Sequence, residues 1–181
     1  TQYLWLPLSH VFGKLLTAAQ LAIGFASVVD GRVDKIVDGL GASHPDFMCG
    51  VPRIYEKVRN AVMTSTPTGT IKSKIARWAF AVGRDSRPYR LSGKQMPLML
   101  RASYKVAERL VFSKLQNRMG GNIDFFISGS AKLSSQVQEW FYSAGILIVE
   151  GYGMTEATVP FVNHPNEPRF GTVGTASPGT E

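Results

Sequence analysis

Cysteine is nearly absent from this chain: Cys49 stands alone. That excludes an internal disulfide framework and a Cys-rich zinc site, and suits a reducing compartment. Long apolar runs are missing too. The longest uncharged stretch, residues 15–29, is broken by Thr17, Gln20, Gly24 and Ser27, short of the ~18 uninterrupted apolar residues a membrane span needs. The N-terminus lacks the basic-then-apolar order of a secretory signal, so a cytoplasmic location is expected. Histidine is scarce, and His10, His44 and His164 share no metal-ligand spacing with one another or with Cys49. Neither a nucleophile elbow nor a Walker loop occurs. What remains is 181 residues, 44% hydrophobic and 18% charged, enough for one globular domain with its own core. Thr1 is not a natural start and Glu181 follows a turn-like Ser177-Pro178-Gly179-Thr180, so the chain reads as part of a longer one.

Acidic residues are outnumbered, 13 against 20 Lys+Arg, for a net charge of +7. The surplus is local. Residues 51–120 hold 15 Lys+Arg and three acids, Glu56, Asp85 and Glu108. Arg101, Lys105 and Arg109 recur at helical spacing opposite an apolar stripe of Tyr104, Ala107, Val111 and Leu115. Such a stripe is either a solvated face or a surface for an anionic membrane or a phosphate-rich ligand. Nucleic acid is disfavoured because few aromatics interleave with the basic residues.

The patterning alternates strand and helix. Strands are expected at residues 3–6, 22–29 (buried), 47–51, 123–127 and 146–149. Helices are expected from Val11 to about Leu21, over the Val33, Ile36, Val37, Leu40 stripe up to Gly41, and after Pro52 at a first turn. After a loop at 65–69, two basic helices are expected, over 71–83 and 96–119, joined by a connection at 85–93. Leu133, Val137, Trp140, Phe141 and Ala144 mark a helix opened by a Ser135/Gln138 capping box and closed by Gly145. The last two strands and this helix form a β-α-β unit with parallel strands and a right-handed crossover. The expected fold is α/β, a parallel-rich β-sheet flanked by helices. Two small-residue loops then leave the same carboxyl edge of the sheet, where ligands bind in open α/β folds.

Those loops carry the chemistry. In Glu150-Gly151-Tyr152-Gly153-Met154-Thr155-Glu156 the glycines permit close backbone approach, Tyr152 offers a flat face to a base, Thr155 a hydroxyl to phosphate, and Glu156 a hard carboxylate to Mg²⁺. Ser128-Gly129-Ser130-Ala131 clears room for a planar group. Each loop is also readable as plain turn punctuation. His10, in Leu6-Pro7-Leu8-Ser9-His10-Val11-Phe12-Gly13, is the titratable residue at a strand-to-helix junction. Cys49 reads as an inert core thiol.

In this order, with Pro52-Arg53-Ile54-Tyr55-Glu56-Lys57 and Gly171-Thr172-Val173-Gly174, these motifs resemble the adenylate-forming acyl-CoA synthetases, and within them long-chain fatty acid–CoA ligases. The resemblance spans nearly the whole chain. It implies that residues 1–181 are part of the large N-terminal AMP-binding (adenylation) domain, with a basic helical insertion at about 66–119. A phosphate loop upstream and a C-terminal domain downstream would complete it. It implies two steps: a fatty carboxylate attacks the α-phosphate of ATP, and coenzyme A then takes the acyl group from the adenylate. Tyr152 would line the adenine, with Glu150, Gly151, Gly153 and Met154 beside it. Gly129, Ser130 and Ala131 would wall off the acyl chain, Thr155 would hold the α-phosphate, Glu156 would bind Mg²⁺, and His10 would stand near the reacting carboxylate. Ser130 and Lys132 depart from the usual Ser-Gly-Gly-Ala-Pro. Partners would be fatty acid, ATP and coenzyme A, with peripheral contact to an anionic membrane. The alternatives are a non-catalytic basic module that binds membrane or polyanion, and a ligase for an aryl or medium-chain acid. The isolated segment is expected to be inactive.

Overall fold

The computed structural model describes residues 1–65 and 69–180. Seven strands run in the order β2-β1-β3-β4-β5-β6-β7: β1 (Gln2–Leu4), β2 (Ser27–Val29), β3 (Phe47–Gly50), β4 (Phe125–Ser128), β5 (Ile148–Met154), β6 (Thr158–Val162) and β7 (Thr175–Ala176). Neighbours from β2 through β5 are parallel, whereas β5–β6 and β6–β7 are antiparallel. The parallel β4–β5 pair, bridged by α7 (Ser135–Ser143), is the expected β-α-β unit. The fold is thus a mixed, mostly parallel sheet flanked by helices.

Alternation along β4 separates the two faces. Phe126 meets Tyr55 of α3 (Pro52–Thr64) at 5.7 Å, and Tyr55 meets Phe141 of α7 at 6.3 Å. The Tyr55 hydroxyl donates to the Ile127 carbonyl at 3.0 Å, so the one polar atom of this buried cluster is satisfied. Ile127 points the other way, towards α1 (Val11–Ile23). Trp5, just past β1, donates its indole N–H to the Cys49 carbonyl at 2.9 Å and ties that loop to β3.

The long helix α4 (Ile71–Leu91) packs on α7. Gly83 makes this possible, because a Cβ there would stand 2.4 Å from the Ser143 carbonyl oxygen. Arg90 donates to the Tyr142 carbonyl at 2.7 Å and lies over the Tyr142 and Tyr104 rings. α5 (Leu98–Ala107) continues through a π-helical segment, Glu108–Phe112, into α6 (Ser113–Arg118). The π segment delivers buried Phe112 to Phe80 and Tyr104, at 5.4 and 5.7 Å.

Several expectations need correction. Residues 22–29 are not a buried strand. α1 runs on to Ile23, Gly24 ends it in the left-handed region (φ 87°), and β2 is a three-residue edge strand with Val28 and Val29 exposed. α2 (Ile36–Ser43) passes Gly41 and stops only where His44 turns left-handed (φ 45°). The connection expected at 85–93 is helix: α4 continues through Pro88, held to α7 by Arg87 and Arg90, and the second basic helix starts at Leu98. The Ser135/Gln138 capping box does not form. Ser134 is the N-cap and Gln138 is buried with other partners. Of the loop expected at 65–69, residues 66–68 lie outside the described residues. Arg101, Lys105 and Arg109 are exposed, as both readings of the stripe require.

Candidate functional site

The segment expected as a glycine loop is largely strand. β5 continues to Met154 and pairs with β6, Gly151 opposite Val162 and Tyr152 opposite Phe161, with a register shift before Met154. The turn is confined to residues 155–157. Gly153 permits this pairing, since a Cβ would stand 2.5 Å from the Thr158 carbonyl oxygen. The strand end therefore presents Gly151, Tyr152 and Gly153 as a thin ribbon with open space on both sides.

On one side is a chamber of about 240 Å³ with largely apolar walls. Val11, Phe12, Leu15 and Leu16 of α1 form one wall, with Cys49 and Ile127 of the sheet and Val159 and Val162 of β6 facing them. The Cys49 thiol is pushed up to about 12 by burial, so it stays protonated and unreactive at neutral pH. On the other side is a groove of about 570 Å³, more polar than the chamber, between Ser130, Ala131, Lys132 and Glu150 and the loop Gly171-Thr172-Val173-Gly174. Ser130, Gly151, Tyr152 and Gly153 belong to both walls. The partition between the apolar chamber and the more polar groove is thus one chain thick.

Buried polar side chains hold this partition. Glu150 is buried, and its Oε1 accepts the Leu133 backbone N–H at 2.7 Å, fastening the loop after β4 to β5. Its Oε2 has no partner. Desolvation raises the Glu150 pKa, against the lowering pull of the Leu133 N–H and of Lys132. Gln138 donates to the Ile148 carbonyl at 3.3 Å and accepts the Gly171 N–H at 2.8 Å, hanging the glycine loop on β5. Asn163 accepts from Arg169 N–H at 3.0 Å and donates to the Arg169 and Thr172 carbonyls at 2.7 and 3.2 Å, folding the same loop back.

The structure brings Gly129, Ser130, Ala131, Glu150, Gly151, Tyr152 and Gly153 together around the partition. It does not bring the other expected residues to these walls. His10 is the exposed N-cap residue of α1, with no side-chain cap bond, while its neighbours Val11 and Phe12 line the chamber. Met154, Thr155 and Glu156 are exposed at and beyond the end of β5. Among the described residues no group of three or more His, Cys, Asp or Glu could hold a metal ion. Sequence reasoning missed Leu15, Leu16, Val159, Val162, Gln138 and Asn163. The α1 pair at i+4 from Val11 and Phe12 was findable from helical spacing. Asn163 acts within its own loop, six to nine residues on, and Gln138 on Gly171, 33 residues on, so neither leaves a periodic signal.

Two stability effects follow. Ser130 sits at φ 68°, a region that costs a residue with a Cβ about 1–2 kcal/mol. Glycine there gives back about 0.5–1 kcal/mol through its freer unfolded chain. Ser130→Gly is therefore expected to stabilise by about 0.5–1 kcal/mol in urea unfolding. For Glu150 the folded state holds its proton more tightly than the unfolded one. Stability then falls as pH rises from the ordinary carboxylate range through the raised value. Glu150→Gln, which keeps the acceptor for Leu133, is expected to raise the melting temperature at neutral pH. It should lose that advantage below the ordinary carboxylate range, as thermal unfolding across pH will show.

The family of AMP-binding enzymes matches residues 1–181. The long-chain-fatty-acid–CoA ligase FadD15 of Mycobacterium bovis is 31% identical over 187 aligned positions, 97% of this chain and 29% of its own length. Long chain acyl-CoA synthetase 3 of Arabidopsis thaliana is 27% identical over 98% of this chain and 26% of its own. Among solved structures, apo MatB from Rhodopseudomonas palustris aligns at TM-score 0.57 and 23% identity, over 98% of this chain and 26% of its own. The A domain of carboxylic acid reductase from Segniliparus rugosus, in complex with AMP and a co-purified carboxylic acid, aligns at TM-score 0.54 and 18% identity, over 91% and 24%. These structures bear on the fold alone. The chain spans less than a third of the curated relatives it matches. With its mostly parallel sheet, its partitioned strand edge and a match from first residue to last, the chain belongs to the AMP-binding enzyme family.

Proposed function

We propose that this chain is the acyl- and nucleotide-facing part of a long-chain fatty acid–CoA ligase. One observation carries the reading: an apolar chamber and a more polar groove share a wall made of Ser130 and the Gly151-Tyr152-Gly153 ribbon. A molecule that is hydrocarbon at one end and nucleotide at the other, such as an acyl-adenylate, fits across that wall. The names of the relatives favour a long-chain acid. The chamber favours hydrocarbon, at about 0.8 kcal/mol for each CH₂ withdrawn from water.

In this reading the fatty carboxylate emerges at the partition and attacks the α-phosphate of ATP, releasing pyrophosphate. Coenzyme A then displaces AMP. Tyr152, half-exposed and tilted against Phe161 at 6.2 Å, offers its face to the adenine, and the Gly171–Gly174 loop closes the other side. Thr155 and Glu156 lie exposed at the end of β5, where Thr155 can donate to a phosphate oxygen. Mg²⁺ is held through one or two carboxylates plus substrate phosphates rather than an all-protein cage. Glu156, alone at its turn, suits that role. His10 heads α1 above the chamber wall. The residues beyond this chain complete the machinery, and the isolated 181 residues are expected to complete neither half-reaction. No helix among the described residues is long and apolar enough to cross a membrane.

ATP–pyrophosphate exchange on the intact protein tests this. Exchange should require both palmitate and Mg²⁺, and should fall by about a hundredfold or more in Glu156→Ala, as loss of a group that stabilises transferring charge does. Val159→Trp, which fills the chamber, should shift exchange to shorter acids. Exchange absent with every acid tried would remove adenylation and leave a binding role.

A further inference from the structure

A further cleft, of about 370 Å³, opens where α3, α4 and α7 meet. It lies on the face of the sheet opposite the apolar chamber. Four arginines line it: Arg59 from α3 and Arg77, Arg84 and Arg87 from α4. Helical spacing explains the convergence, since Arg77 and Arg84 are seven residues apart, and Arg87 follows Phe80 and Arg84 at i+7 and i+3. Glu139 of α7 is the single carboxylate in the lining.

This is more cation than folding uses. Arg87 pairs with Glu139 and is mostly buried. Arg84 meets only the exposed Asp85 beside it, at 3.6 Å. Arg59 has a buried Nε with no hydrogen-bond partner among the described residues, a donor whose desolvation is left without compensation there. The floor is rigid: Phe80 and Trp140 stack at 4.6 Å, and Gly83 brings the α4 backbone against Ser143. A fixed cleft with three guanidinium charges in excess of its own carboxylate is matched to a dianion that takes forked hydrogen bonds.

We propose that this cleft binds a phosphomonoester, with Glu139 as the built-in counter-ion that occupies Arg87 until the phosphate displaces it. Its two sources are a soluble phosphorylated compound and the headgroup of a lipid such as phosphatidic acid. The site is independent of the adenylation reading, because none of its residues lines the chamber or the groove.

The test uses the intact protein, with inorganic phosphate in calorimetric titration and phosphatidylcholine vesicles with and without phosphatidic acid in co-sedimentation. Arg77→Gln with Arg84→Gln, both exposed and so without consequence for folding, should weaken binding of whichever probe binds by about fivefold or more for each charge removed. Glu139→Gln should tighten it by about fivefold, because the competing carboxylate is gone. Adenylation should be unchanged in both. Binding of phosphate alone assigns a soluble ligand, and binding of the acidic vesicles, with or without phosphate, assigns the headgroup. If neither probe binds, or binding ignores these substitutions, the proposal is overturned.

Discussion

The seat of Phe12 against Gly129 is the contact on which the site depends. Gly129 is buried at the end of β4, and a Cβ there would come 2.9 Å from the Phe12 ring. A side chain at 129 would displace the Phe12 ring from this seat. α1 is held close at its start as well, where a Cβ on Gly13 would stand 2.5 Å from the Pro7 carbonyl oxygen. With α1 fixed over the strand ends, Val11, Phe12, Leu15 and Leu16 become the roof of a chamber instead of a loose apolar face. At Gly13 the obstacle is backbone, so a side chain there would shift the start of α1 and the chamber wall with it.

The groove is built by a different device. Its glycine loop has little apolar surface with which to hold itself, so Gln138 and Asn163 hold it through buried hydrogen bonds. Glu150 does the same for the loop after β4. Buried polar groups of this kind specify one arrangement because every alternative leaves them unpaired. The orphan Oε2 of Glu150 marks where this arrangement is incompletely satisfied, and burial there favours the protonated carboxyl.

Much of this was legible in sequence. Helical stripes located α1, α3 and α7, and the β-α-β reading gave the parallel β4–β5 pair and the strand edge that carries the site. The errors have separate causes. Residues 22–29 are apolar enough for a core strand, but Gly24 ends a helix there and β2 pairs on one side only. The connection expected at 85–93 is helix because Arg87 and Arg90 anchor α4 to α7 on either side of Pro88. Gln138 looked like a capping partner because its spacing from Ser135 fits, whereas its partners are Ile148 and Gly171. Gly151 to Gly153 looked like a loop because glycine usually breaks strands. Here glycine is what lets β5 and β6 approach. Local pattern found the elements, and contacts distant in sequence decided how they are used.

The central claim is that one thin wall separates hydrocarbon from nucleotide. A crystal structure of the intact protein with a non-hydrolysable palmitoyl-adenylate analogue tests it most directly. The account expects the alkyl chain between α1 and β6, and the adenine in the groove between Tyr152 and the Gly171–Gly174 loop. The linking phosphate should cross beside Ser130. An analogue whose alkyl chain lies outside the chamber, or whose adenine occupies it, would contradict the account.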